Sequence, residues 1–105
     1  MYYTYILRSI KTPGTVYIGY THDLKSQLIQ HNSLQNHGYT GRHSPWEIES
    51  YMAFSQKKDA KKFEVYLKSS AGKAFMKKRL LSKQYREDLE KFKNGRNKQK
   101  ISEVK

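Results

Sequence analysis

The stretch T-V-Y-I-G-Y-T-H-D-L-K-S-Q-L-I-Q-H-N, residues 15–32, changes its period halfway. Up to Tyr20 it is β-branched and aromatic, so Val16–Tyr20 reads as a strand. After Tyr20 the apolar residues fall at helical spacing, with Leu24 and Leu28 in one stripe and Ile29 beside it. Thr21 or Asp23 can accept from the free N–H groups of a first turn, so either can open a helix that runs to about His31. Asp23, Gln27 and His31 then lie at i, i+4 and i+8, a second stripe next to the apolar one.

Working outward, YYTYILR at 2–8 reads as a partner strand. Tyr3, Tyr5 and Leu7 share one face, and Tyr2, Thr4, Ile6 and Arg8 share the other. Pro13-Gly14 between the two strands is a turn signal, which predicts an antiparallel hairpin. Residues 32–45 are a polar, turn-rich loop. WEIESYMAF at 46–54 reads as a third strand with Trp46, Ile48, Ser50, Met52 and Phe54 on one face. Ser55 can cap a helix over roughly 56–69, whose apolar face is Ala60, Phe63 and Leu67. S-S-A-G at 69–72 predicts a break, with Gly72 fit for a left-handed cap. A helix from about Lys73 and a weaker one from about Lys83 to Lys93 follow, then a polar stretch, 94–105, expected to be frayed. The order ββαβαα predicts a small α+β domain with a three-stranded, mainly antiparallel sheet flanked by helices.

A chain of 105 residues fits one small domain with a thin core. It has no cysteine, which excludes disulfides and thiolate metal sites. MYYTYILRS does not read as a secretory leader, and no apolar run approaches the roughly 20 residues of a membrane helix. The charge is +12, from 21 Lys and Arg against 9 Asp and Glu. It is lopsided. Residues 1–50 hold four basic and three acidic residues, and 51–105 hold the other 17 and six. Such a field favours a polyanion, most plausibly nucleic acid, over the alternative of a lysine-rich solubility surface.

Three features could carry chemistry. Tyr5 and Tyr17 fall on adjacent strands, where phenols donate hydrogen bonds, stack on bases, or serve as a base once activated. An ordinary phenol, with a pKa of about 10, is a poor base at neutral pH. Gly19 interrupts a strand and marks either a bulge or a close approach to the backbone, by a phosphate for example. Glu64 is a carboxylate at the edge of a helix's apolar face. It can hold a hard cation such as Mg²⁺, which takes one or two carboxylates and otherwise water and phosphate. Taken singly, each has an ordinary structural alternative: strand aromatics, a sheet bend, a surface pair with Lys61 or Lys68.

Their order says more. Y-T-Y at 3–5, Y-I-G at 17–19, D-L-x-x-x-L-x-x-H-N at 23–32, a Trp-led strand and F-E-x-Y-L-K at 63–68 together resemble the GIY-YIG nuclease superfamily, in its small single-domain bacterial (UvrC N-terminal-like) branch. The resemblance covers about residues 1–82. Residues 83–105 form a basic helix and tail outside it. It implies a metal-dependent phosphodiester hydrolase. Tyr5 and Tyr17 match the tyrosines of the two motifs, the second a candidate general base. Glu64 matches the metal-binding glutamate, His31 a polar active-site position, and Gly19 the glycine of the second motif. Tyr3 stands where the first motif usually has glycine.

A second departure is chemically larger. The family's active-site arginine falls at Gln27. Phosphodiester attack builds negative charge that a guanidinium answers and a neutral amide does not. Loss of one such contact costs ~10²–10³ in rate. Three explanations stay open: the chain is kept for binding alone, another cation (Lys25, Arg42 or Arg8) reaches the site, or the glutamine is an inactivating substitution. Lys25 is about 200° around the helix from Gln27, so Arg42 on the loop is the better candidate. Without a substitute, Gln27→Arg should raise cleavage at least ~10²-fold; with one, it should change little.

The sequence therefore predicts a DNA endonuclease that uses Mg²⁺ or Mn²⁺, acts on structured or nicked DNA in repair, and works in the cytoplasm near the nucleoid. The alternative is an inactive nucleic-acid-binding module. Lys57, Lys58, Lys61, Lys62, Lys68, Lys73, Lys77, Lys78 and Arg79, with only Asp59 and Glu64 among them, are the expected nucleic-acid contacts.

Overall fold

The computed structural model describes residues 1–94 with their side chains, and residues 95–104 only as the continuation of the last helix. The expectation of a frayed 94–105 falls, past Asn94, outside the described residues. Three strands form one antiparallel sheet in the order β2-β1-β3: β1 Tyr2–Ser9 is central, β2 Val16–Thr21 and β3 Trp46–Phe54 are edges. Gly14 takes a φ of 94° in the β1–β2 turn, a conformation that a side chain would strain.

Helix α1, Leu24–His31, follows β2, and Asp23 caps it by accepting from the Ser26 N–H at 3.0 Å. The loop after it is not wholly irregular: residues Tyr39–Arg42 make one turn of helix, α2. After β3 come α3 Lys57–Lys68, α4 Ser70–Arg79 and α5 Lys83–Val104. Gln56, not Ser55, is the N-cap of α3. The α3–α4 break falls at Ser69, whose hydroxyl accepts from the Gly72 N–H. Gly72 itself is helical and buried. A Cβ there would sit 1.7 Å from the Tyr66 carbonyl oxygen, so the glycine serves close packing and not a left-handed cap.

The central strand is buried on both faces. On one, Ile6 and Ile18 pack with Leu67, Met76 and Leu81 from α3, α4 and the segment after it. On the other, Tyr5 and Leu7 pack with Trp46, against Tyr17, Leu24 and Leu28. Thr4 ties the first face to α3 by donating to the Ala60 carbonyl at 2.6 Å. The start of α5 docks on the hairpin, where the Tyr85 hydroxyl donates to the Gly14 carbonyl and Asp88 pairs with Arg8 at 3.6 Å.

The single apolar face predicted for β3 does not form. Ile6 opposes Ser50 while Leu7 opposes Ile48, so Glu49 is an extra residue and the strand bulges. A bulge reverses the alternation. Trp46 therefore joins the α1 face, and Phe54 packs on Phe63 of α3 on the opposite one, with ring centroids 5.7 Å apart. Ile48 and Met52 are left exposed on an edge strand.

Candidate active site

Tyr5 lies directly opposite Gly19 in the β1–β2 ladder. Its ring leans across the glycine. A Cβ on Gly19 would meet the Tyr5 hydroxyl at 2.6 Å and the Tyr17 ring at 3.1 Å. The close approach that glycine allows here is thus taken by a phenol. The sequence expectation of a phosphate over Gly19 meets a filled space.

The Tyr5 hydroxyl reaches His31 Nε2 at 3.0 Å, and both residues are buried. Burial pushes the His31 pKa below its ordinary 6.5, so the imidazole is neutral at neutral pH. The Tyr5 phenol is pushed well above its usual range, first by burial, then by Tyr17 and Glu64. Tyr5 accordingly keeps its proton, so the pair joins a neutral phenol to a neutral imidazole, and Tyr5 is not a base. The Tyr17 ring lies against His31, with centroids 4.8 Å apart, and is only partly buried.

The backbone around His31 is tied by two asparagines to which the sequence alone assigns no role. Asn32 clamps the start of β3: its Oδ1 accepts from the Trp46 N–H at 2.6 Å and its Nδ2 donates to the Trp46 carbonyl at 3.0 Å. Asn36 donates to the His31 carbonyl at 3.2 Å and to the Thr40 hydroxyl at 2.7 Å. The Trp46 indole in turn donates to the Thr40 carbonyl at 2.7 Å. The H-N pair was the visible signal; the polar loop concealed the rest.

Glu64 comes from α3. Its side chain is 18% exposed, and its carboxylate lies 3.7 Å from Lys68 Nζ. Its charge adds to the effects that raise the Tyr5 phenol, after burial and Tyr17. Among the described residues no cluster of three or more His, Cys, Asp or Glu could hold a metal. A single partly exposed carboxylate fits a hard, water-rich divalent ion and does not fit a fully protein-coordinated one.

Lys57, Lys61, Glu64 and Lys68 recur at i, i+4, i+7 and i+11, so they form one stripe of α3. The stripe accompanies β2 in the opposite direction. At its Lys68 end is a groove of about 490 Å³ whose walls include Tyr17, Tyr39, Lys68, Lys73 and Lys77. In the middle Lys61 Nζ lies 5.7 Å from the Tyr20 ring centroid. At the Lys57 end, Gln27 and Lys57 share a second groove. Lys58, Lys62, Lys78 and Arg79 are exposed and line neither groove.

Of the substitute cations, Arg8 is tied to Glu47 and Asp88 with its side chain 17% exposed. Arg42 ends α2, where its carbonyl accepts from Lys11 at 3.1 Å, and it too lines neither groove.

Two phenols packed on a neutral imidazole, with Tyr17 opening onto a groove that holds three lysines, form a polar cluster a bare scaffold does not need. Residues 1–80 match the GIY-YIG catalytic domain, and the chain belongs to that family. It is 44% identical over 66 residues to the Structure-specific endonuclease subunit SLX1 of Mycosarcoma maydis, covering 60% of this chain and 10% of that protein. It is 34% identical over 68 residues to a UPF0213 protein of Bacillus pumilus (65% and 67%). It is 33% identical over 72 residues to the UPF0213 protein SAG0778 of Streptococcus agalactiae (69% and 80%). The chain thus spans a tenth of the first relative and two thirds or more of the other two. No helix among the described residues is long and apolar enough to cross a membrane.

Proposed function

We propose that the chain is an endonuclease that hydrolyses phosphodiester bonds of DNA with Mg²⁺ or Mn²⁺. The observation that carries this is the Tyr5–His31 hydrogen bond beneath Tyr17, whose ring lines a groove shared with Lys68, Lys73 and Lys77. The relative named as a structure-specific endonuclease supports a branched or nicked substrate.

Each residue has a defined task. Glu64 would hold the divalent ion through its one carboxylate, and the ion would supply positive charge to offset that of the phosphate oxygens. Tyr5 holds the neutral His31 ring in place through their hydrogen bond. His31 supports the face of Tyr17. Tyr17, which lines the open groove, is placed to orient the attacking water and, once activated to its phenolate, to take the water's proton. Lys68, Lys73 and Lys77 hold the strand along that groove by phosphate contacts.

A second reading is favoured by Gln27 alone: a module that binds DNA without cutting it. A nicking assay on branched, nicked and single-stranded DNA separates the two. The nuclease reading expects cleavage with Mg²⁺ or Mn²⁺ and none in EDTA. Salt-sensitive binding with no cleavage of any substrate would leave the binding module.

A further inference from the structure

The groove at the Lys57 end of the stripe has a composition of its own. It encloses about 520 Å³ and is lined by Tyr2, Tyr20, Thr21, His22, Gln27 and Lys57. No carboxylate lines it. Its one fixed charge is the Lys57 ammonium, brought in by the first turn of α3. Gln27 comes from α1, and Tyr20 to His22 from the end of β2 and the loop after it. The Gln27 amide is nearly uncommitted, since its one contact is a long 3.4 Å bond to Gln30 Oε1. Tyr20 already carries a cation over its ring, from Lys61.

A lone ammonium beside an amide donor, an imidazole and two phenol rings suits a phosphate with an adjoining base. The charge answers the phosphate, the amide and imidazole donate to its oxygens, and a tyrosine ring gives the base a face to stack on. The position suits a strand as well. β2 leads from Tyr17 in the first groove, past Gly19, to Tyr20 in this one, while the α3 stripe runs beside it from Lys68 through Glu64 to Lys57. A chain of phosphates lying along that edge passes Glu64 and enters this groove next.

We propose that this groove is a nucleotide subsite for the strand beside the cleavage position, and that Lys57 is its cation. The position rests on the nuclease reading; the subsite itself requires only binding. The cation that Gln27 lacks is then supplied from the facing helix. An arginine at 27 would put a second charge into a groove that already has one.

The test has a binding arm and a cleavage arm. In EDTA, a short single-stranded DNA oligonucleotide is titrated while the Gln27 side-chain amide is followed by NMR. The native signal should move, Lys57→Gln should abolish that movement, and the log–log salt slope of binding should fall by about one. Lys25→Gln, on the far side of α1, should leave the Gln27 shift as in the native chain. With Mg²⁺, Lys57→Gln should lower kcat by ~10²-fold, the scale of one lost charge contact, and Gln27→Arg added to it should restore the rate. A Gln27 amide that does not respond to DNA, or responds equally without Lys57, overturns the subsite. Native-rate cleavage by Lys57→Gln overturns its place beside the cleavage position. A Lys57-dependent shift in a chain that cuts nothing supports the subsite and rejects the nuclease reading alone.

Discussion

The two faces of the sheet are built from different chemistry. Toward α3 and α4, Ile6, Ile18, Leu67 and Met76 make an aliphatic core, with Thr4 at its side donating to the Ala60 carbonyl. Toward α1, Tyr5, Tyr17, Trp46 and His31 form an aromatic layer whose polar atoms are matched, Tyr5 to His31 and Trp46 to Thr40. The first face is judged mainly by volume. The second must satisfy more directions, because a buried donor or acceptor without a partner costs about 1–3 kcal/mol. The fold rests on the first face, and the second positions the phenols beside the groove. Stability and activity should therefore respond separately to changes on the two faces.

The largest effect on folding is expected from Leu67→Ala on the aliphatic face. Leu67 is fully buried, and such truncations cost about 2–5 kcal/mol. Chemical denaturation should show that loss, and any activity should follow the folded fraction. A cost under about 1 kcal/mol would mean that the core is looser than its burial indicates.

Gly19→Ala on the polar face should cost less stability and proportionally more function. The new methyl falls 2.6 Å from the Tyr5 hydroxyl, and Tyr5 cannot retreat because it is buried. Overpacking of this kind costs about 1–3 kcal/mol. Displacing Tyr5 breaks its bond to His31, so cleavage should drop further than the folded fraction does. Cleavage that tracks the folded fraction would remove the positional role given to the Tyr5–His31 pair.

The smallest effect concerns pH. His31 has a lowered pKa in the folded chain, so below about pH 6.5 the unfolded chain takes up that proton first. Its contribution is present above 6.5 and is lost as pH falls toward the folded value. The melting temperature of the native chain should then decline more steeply on acidification than that of His31→Gln. Parallel declines would show that other groups carry the acid sensitivity.

Much of this division could be read from residue order. The period change after Tyr20 located β2 and α1, and the alternation of β1 sent Tyr5 and Ile6 to opposite faces. Tyr5, Tyr17, His31 and Glu64 could be named from their spacing within the GIY-YIG resemblance, and the fold packs the first three against one another. What stayed hidden depends on partners far apart in the chain. The bulge at Glu49 is set by pairing to β1, so a strict alternation over 46–54 put Trp46 and Phe54 on one face. Gly72 read as a cap because its need, the nearness of the Tyr66 carbonyl, exists only once α4 folds back on α3. Asn32 and Asn36 looked like loop composition. The groove shared by Gln27 and Lys57 joins residues 30 positions apart, and no local pattern announces it.

The central claim is that Glu64 makes the aromatic layer a metal-dependent active site. The most direct test compares native chain and Glu64→Gln on one branched DNA substrate with Mg²⁺, measuring cleavage and binding in parallel. The substitution keeps shape and removes charge. Cleavage should disappear while DNA binding is retained or strengthened, since a negative charge has left a basic surface. Undiminished Mg²⁺-dependent cleavage by Glu64→Gln would contradict the account.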